Sequence, residues 1–414
     1  MLPKFSKCRF FVLLESLDEE KYGWDEGLFA FDEVQIWSAQ ELPDSSSIQN
    51  FLPGLKGGWK FGFLTYDYKN RVEELRSSNP DRFHLPDFCF FEPGLVLKKK
   101  QGNWEPMVNA RSLNEQSIQA LVSESLSNTL AGTTAVIDLR ARFSKQEYIR
   151  RVSEIQKRIA KGEVYELNFC QEFYADQVSI DPCAVYERLK KNSAAPFAAF
   201  CRFDQLFLIC SSPERFLKKT ADRILSQPIK GTRKRGATAA EDAWLKSDLQ
   251  SDEKEVAENV MIVDLVRNDL TRIAQRSTVA VEELCKVYSF QQVHQLISTV
   301  SCTLKPEQSL QDILKAVFPM GSMTGAPKIR AMELIEEYEN TKRGLYSGTL
   351  GYITPEGDFD FNVVIRSILY DAEKQYLSFL VGSAITAKSD PEKEYEECLI
   401  KARGMLDALN ARIV

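Results

Sequence analysis

Arg223-Ile224-Leu225-Ser226-Gln227-Pro228-Ile229-Lys230-Gly231-Thr232-Arg233-Lys234-Arg235-Gly236 joins an apolar run to a dense group of cations. The run through Ser226 reads as a strand, and Pro228, Gly231 and Gly236 punctuate a turn after it. Lys230 is therefore expected where a strand ends and its side chain turns toward a cleft. Such a turn suits an anion. Arginine stays protonated, whereas a lysine beside other cations, or partly desolvated, can lose its proton near neutral pH and become a nucleophile. The bland reading of the segment alone is a solvated basic loop, or a phosphate or nucleic-acid contact. Residues downstream reverse it.

With 414 residues the chain is long enough for one large or two ordinary domains. A formal net charge of -6 argues against a nucleic-acid binder by bulk electrostatics, so the basic segment is a local feature of an acidic protein. An anionic small molecule needs such local cations. The apolar run 10–14 is too short for a signal-peptide core, and no run approaches membrane-spanning length. The cysteines include no C-x-x-C pair and read as reduced thiols of a cytoplasmic protein. Only His84 and His294 could supply imidazole, so zinc is disfavoured.

Along the chain, short strand-like runs at 9–14, 29–31, 34–37 and 57–68 precede a surface helix over 113–131. A linker at Gly132-Thr133-Thr134 then separates an N-terminal region, 1–135, from a second domain, 141–414. Ser144 and Glu147 form a capping-box signature, and Ile149, Val152, Ile155 and Ile159 follow at helical spacing. Strands are expected over 163–169, 198–203, 206–210 and 223–226. Three more, over 345–353, 359–370 and 376–386, read as an antiparallel meander.

Two helices carry paired carboxylates. Over 251–265, Glu255 and Glu258 stand at i and i+3, and Ile262 and Leu265 continue their face. Asp390 and Pro391 start a second helix on which Glu394, Glu397 and Lys401 share a face. A single such pair is usually solvated surface, but where the stripe that turns apolar buries its carboxylates they need a cation. Two such pairs make a candidate site for a shared divalent ion, and few-ligand carboxylate sites completed by water and substrate oxygen are typical of magnesium. Between the helices, Gly321, Ser322, Thr324 and Gly325 run into Pro327 and a helix, offering backbone N–H groups to an anion. The loop does not match the Walker pattern, so nucleotide binding is disfavoured, and a plain helix cap is the other reading.

With these residues in place the chain resembles the chorismate-utilising enzymes, the family of anthranilate synthase component I and aminodeoxychorismate synthase component I. The resemblance rests on Ser212-Pro213-Glu214-Arg215-Phe216, the 228–236 segment, Ala257-Glu258-Asn259 and Val293-His294-Gln295-Leu296. The 321–328 loop, Tyr346-Ser347-Gly348, Ile365-Arg366-Ser367 and Glu394-Tyr395-Glu396-Glu397 complete it. It implies an α/β sandwich of four layers, two packed antiparallel sheets flanked by helices, that binds chorismate and magnesium. Glu258 and Glu397 match the family's metal ligands, with Glu255 and Glu394 supporting them. Thr324, Tyr346, Arg366, Gly382 and Lys401 match substrate contacts. Leu13-Leu14-Glu15-Ser16 resembles the element with which anthranilate synthases bind regulatory tryptophan.

Within the family, anthranilate synthases generally carry alanine at position 230. Lysine there resembles the aminodeoxychorismate synthases, in which it attacks ring C2 as the C4 hydroxyl leaves, before ammonia adds at C4 and expels it. Glu214 matches the acid/base for the departing hydroxyl, and His294 a histidine near the ring. At Glu166 the water-adding isochorismate and salicylate synthases have a lysine base, which this chain lacks. The expected function is conversion of chorismate and ammonia to 4-amino-4-deoxychorismate for folate synthesis, with ammonia from a separate glutamine amidotransferase subunit. The alternatives are anthranilate synthase component I and a non-catalytic chorismate- or anion-binding protein.

Overall fold

The cationic segment does not turn. Ile229–Lys234 is a strand that pairs antiparallel with Val293–Thr303, just after Arg223–Gln227 has paired farther along the same neighbour. Pro228 interrupts the ladder between them, and its carbonyl accepts from the Ser298 N–H at 3.2 Å. A bulge falls between Lys230 and Thr232, at Gly231 with φ 85°. Only glycine takes that conformation cheaply. A Cβ there would also come within 3.1 Å of the Glu255 side chain, so the bulge brings strand and helix together.

The computed structural model describes residues 8–17, 22–24, 27–39, 57–100, 102–126 and 136–414. The expected linker at 132–134 and the last residues of the 113–131 helix lie outside these; the helix runs Glu115–Leu126. Most strands among the described residues form two antiparallel arms. One runs Leu28–Ser38, Phe10–Glu15, Phe197–Phe203, Leu206–Ser212, Ser367–Asp371, Tyr376–Ile385 and Glu166–Ala175. The other runs Phe88–Lys100, Lys60–Leu64, Thr349–Ile353, Phe359–Val363, Arg215–Thr220, Arg223–Gln227 and Val293–Thr303. Leu28–Ser38 and Phe88–Lys100 pair with each other and join the arms.

Alternation along the strands sets the layers. Phe11 and Leu13 join a core shared with Tyr148, Val152, Met332 and Met405 of the helices outside the first arm. Their neighbours Phe10, Val12 and Leu14 point the other way, into a core built with Phe61, Phe63, Ile297 and Leu350 of the second arm. A third core packs Phe361 and Val300 against Ile262, Val266 and Ile313 of helices on the far side. Successive residues of a strand face opposite sides, so strands apolar on both faces must be covered twice. The result is helix, sheet, sheet, helix.

Local signals set the helix starts. Ser144 and Glu147 form the capping box of Lys145–Ala160, and Tyr148 rather than Ile149 leads its buried stripe. Asp252 caps Glu253–Thr271 and Asp390 caps Pro391–Leu409, each accepting two backbone N–H groups. Among the described residues, no helix is long and apolar enough to cross a membrane.

The expected meander is broken. Its middle strand is two, Phe359–Val363 in the second arm and Ser367–Asp371 in the first, and the residues between them carry the chain across, with Arg366 at φ 51°. A second crossing lies beside it, where Pro213 and Glu214 link Leu206–Ser212 to Arg215–Thr220. The two are stitched together: Val363 N–H donates to the Glu214 carbonyl at 3.0 Å and Ser211 N–H to the Arg366 carbonyl at 3.2 Å.

Candidate active site

These crossings place Glu214 and Arg366 at the seam between the arms. Ser212, in turn, fixes the first crossing, accepting from the Glu214 N–H at 3.2 Å and donating to the Val363 carbonyl at 2.6 Å. The Glu214 carboxyl is buried, and Ser322 of the glycine-rich loop donates to it at 2.6 Å. Burial pushes its pKa up to about 7, against the opposing pull of the Ser322 hydroxyl and Lys230. A carboxyl so placed can hold a proton near neutrality.

Lys230 reaches across from the second arm to Glu166 of the first, with Nζ 2.8 Å from Oε1. The cationic neighbourhood expected of this lysine is absent, and carboxylates surround it instead. Burial would lower its pKa, but Glu166, Glu258 and Glu214 overcome that and hold it up at about 12. The resting lysine is an ammonium ion. Arg233 and Arg235, expected to meet an anion, meet protein carboxylates: Arg233 bonds Asp248 at 2.8 Å and Asp252 at 2.6 Å, and Arg235 grips both oxygens of Asp242.

The paired glutamates do come together. Glu255 and Glu258 on one helix and Glu394 and Glu397 on the other all act on Lys254, raising its pKa against the effect of burial. Burial, with Glu166 and Glu255 adding to it, lifts Glu258 to about 7. Its Oε1 is buried with no hydrogen-bond partner. Glu397 is instead held low, because Lys401 at 2.6 Å outweighs burial. Among the described residues, no three His, Cys, Asp or Glu side chains converge into a ready-made metal-binding group.

Of the expected substrate contacts, Arg366 interacts electrostatically with Tyr346 and with Glu397, and Glu397 in turn with Lys230. Among the described residues, the Arg366 guanidinium has no hydrogen-bond or ion-pair partner. Lys401 donates to the Gly382 carbonyl at 2.8 Å, which ties those two together. Thr324 is fully buried and donates to the Met320 carbonyl at 3.1 Å. His294 does not join the group. Its ring nitrogens meet Ser289 at 2.9 Å and Asp242 at 3.0 Å, fastening the strand to the Ala239–Ser251 helix. The glycine-rich loop also spends donors internally, since Thr324 N–H bonds the Gly321 carbonyl and Lys328 bonds Asp269. Pro327 caps the following helix rather than entering it. Glu15, in the tryptophan-like element, accepts from Tyr186 at 2.7 Å and Lys190 at 3.1 Å.

Two residues carry little signal in the sequence. Glu166 stands out there only for not being lysine. Arg343 donates to the carbonyls of Met323 at 2.7 Å and Asn168 at 2.8 Å and pairs with Glu339. A basic residue three positions before Tyr346-Ser347-Gly348 was its one local signal.

Residues 20–407 match the chorismate binding enzymes, and the chain belongs to that family. Among its relatives, the chloroplastic aminodeoxychorismate synthase of Arabidopsis thaliana is 39% identical over 415 residues, covering 94% of this chain and 44% of that one. Anthranilate synthase component 1 of Aquifex aeolicus is 35% identical over 375 residues, 86% of this chain and 75% of the relative. The chain thus spans less than half of the plant protein. The crystal structure of anthranilate synthase component I from Streptococcus pneumoniae TIGR4 superposes with a TM-score of 0.75 at 27% identity, covering 96% of this chain and 92% of that one.

Proposed function

We propose that the chain is the chorismate-aminating component of an aminodeoxychorismate synthase, converting chorismate and ammonia to 4-amino-4-deoxychorismate in the cytoplasm on the way to folate. The observation that carries this reading is the position of Lys230, its side chain 11% exposed at the seam, with Glu214 close enough to act on it. Once deprotonated, Lys230 would attack ring C2, and protonated Glu214 would give its proton to the departing C4 hydroxyl. The uncommitted guanidinium of Arg366 suits a substrate carboxylate. Lys401 has used two of its three donors, so one remains.

The carboxylates fit magnesium. Glu258 has a buried oxygen without a hydrogen-bond partner, and the site already draws a cation, Lys254, among Glu255, Glu258, Glu394 and Glu397. Magnesium keeps water and substrate oxygens in its shell, so a few protein carboxylates suffice. Glu258 and Glu397 would hold it, Glu255 and Glu394 supporting them, and when bound it would neutralise the ring carboxylate. Ammonia would come from a glutamine amidotransferase subunit.

A second reading is anthranilate synthase component I, favoured by the Aquifex relative. Purified chain with chorismate, magnesium and an ammonium salt at mildly alkaline pH separates the two by product mass and fluorescence. Aminodeoxychorismate, lost on Lys230→Ala, supports the proposal. Fluorescent anthranilate as the main product overturns it.

A further inference from the structure

We propose that Glu166 is the base that takes the proton from Lys230 and so makes its amine nucleophilic at the start of each turnover. The inference rests on the lysine-mediated amination proposed above.

A buried ammonium ion cannot attack carbon, so the reaction needs a proton acceptor within reach. Four carboxylates face Lys230 from four parts of the fold: Glu166 on its strand, Glu214 at the crossing, Glu258 on Glu253–Thr271 and Glu397 on Pro391–Leu409. Among the described residues, only Glu166 is within hydrogen-bond distance of Nζ, at 2.8 Å. Glu214 is held by the Ser322 hydroxyl, and Glu397 by Lys401 at 2.6 Å. Glu258 lies 3.7 Å from Lys254.

Glu166 is also built to receive the proton. Its side chain is 1% exposed, which keeps bulk water from competing. Oε1 holds the lysine while Oε2 is buried with no hydrogen-bond partner, leaving a lone pair open. If the lysine became neutral and the carboxylate stayed charged, a buried anion would lose its nearest cation. Moving the proton between them avoids that cost.

The step balances. An Nζ–H bond breaks and its proton goes to Glu166, and the freed pair forms the N–C2 bond. The ring π electrons shift toward C4, and the C4–O bond breaks, the oxygen leaving as water with the Glu214 proton. When ammonia adds at C4 the electrons shift back, and the C2–N pair returns to Lys230, which recovers its proton from Glu166. The new C4 ammonium returns a proton to Glu214. Nothing is oxidised or reduced.

The test compares Glu166→Gln, Glu166→Asp and Lys230→Ala in the full chain with chorismate, magnesium and ammonium, following product by mass. Glutamine keeps the shape and a hydrogen bond but cannot take the proton. It should lower kcat by about 100-fold or more with little change in the KM for chorismate. Its rate should keep rising, about tenfold per pH unit, through the alkaline range where the native rate has levelled off. Aspartate, a base set farther back, should fall between native and glutamine. A Glu166→Gln kcat within about threefold of native with the native pH profile, beside an inactive Lys230→Ala, overturns the Glu166 assignment alone. Aminodeoxychorismate from Lys230→Ala overturns the lysine reading and the inference together. If the glutamine variant does not fold, native kcat in Glu166→Asp overturns the assignment.

Discussion

Arg343 and Glu339, one helical turn apart in sequence, form a buried two-point ion pair, with Nε to Oε2 at 2.9 Å and Nη2 to Oε1 at 2.6 Å. The remaining donors reach Met323, Asn168 and Ser347, so one guanidinium spans the glycine-rich loop, the Glu166 strand and the turn carrying Tyr346. Lysine cannot reproduce that fork. Arg343→Lys is expected to cost about 3 kcal/mol by urea denaturation, because Glu339 and two carbonyls lose partners in a buried setting. A variant as stable as the native chain would refute the bracing role.

Lys230 and Glu166 lend themselves to a double-mutant cycle. Removing the cation strands buried carboxylates, so Lys230→Met should destabilise by about 3 kcal/mol, near the low end for broken buried pairs. Adding Glu166→Gln removes the nearest of those charges and should restore about 1 kcal/mol or more. Strictly additive losses in urea melts would show that the two residues are not energetically coupled.

Glu214 links stability to activity. Burial raises its folded pKa from 4.5 to about 7, so between those values the folded chain holds a proton that the unfolded chain has released. Stability therefore falls as pH rises through that window. Glu214→Gln, permanently neutral, should be more stable than the native chain by about 1–3 kcal/mol at pH ~8, and little different at pH ~5. The same change should lower amination by about 100-fold or more. Thermal melts at the two pH values check the first expectation; a gain that is larger in acid would contradict it.

Gly382 stands opposite Cys170, and an added Cβ would meet the Cys170 sulfur and come within 2.7 Å of the Phe169 carbonyl. The carbonyl belongs to a central strand and cannot step aside. Gly382→Ala is expected to cost about 1–3 kcal/mol, and trimming the cysteine in Gly382→Ala/Cys170→Ala should return only part of it. Full recovery in the double variant, measured by denaturant midpoint, would show that the backbone does yield.

The sequence was most legible where a local rule decides the structure. Ser144 with Glu147, and Asp390, marked helix starts by capping chemistry, and the glutamates spaced by three fell on one face as helix geometry requires. What stayed hidden depends on residues distant in sequence. The 359–370 run holds neither glycine nor proline, so no turn signal marks the crossing at 364–366 that sends it into the other arm. The cations at 230–235 read as a group built to meet an anion because their protein partners, Glu166, Asp242, Asp248 and Asp252, lie on other elements. Lys230 shows the consequence: neighbours in sequence pointed to a lowered pKa, and neighbours in space hold it high.

Glu258 makes the proposed magnesium site a proton-linked one. Burial lifts its carboxyl to about 7, and Glu166 and Glu255 add to the rise. A metal needs the ionised form, so a proton must leave before the ion binds. Below pH ~7 magnesium affinity should weaken, by at most about tenfold per unit, and above it the affinity should level off. Glu258→Gln removes both the charge and the linkage, so it should bind magnesium weakly and with little pH dependence. Titration calorimetry with magnesium chloride at pH ~6 and ~8, without substrate, reads both effects. Equal native affinity at the two values would break the link between Glu258 and the ion.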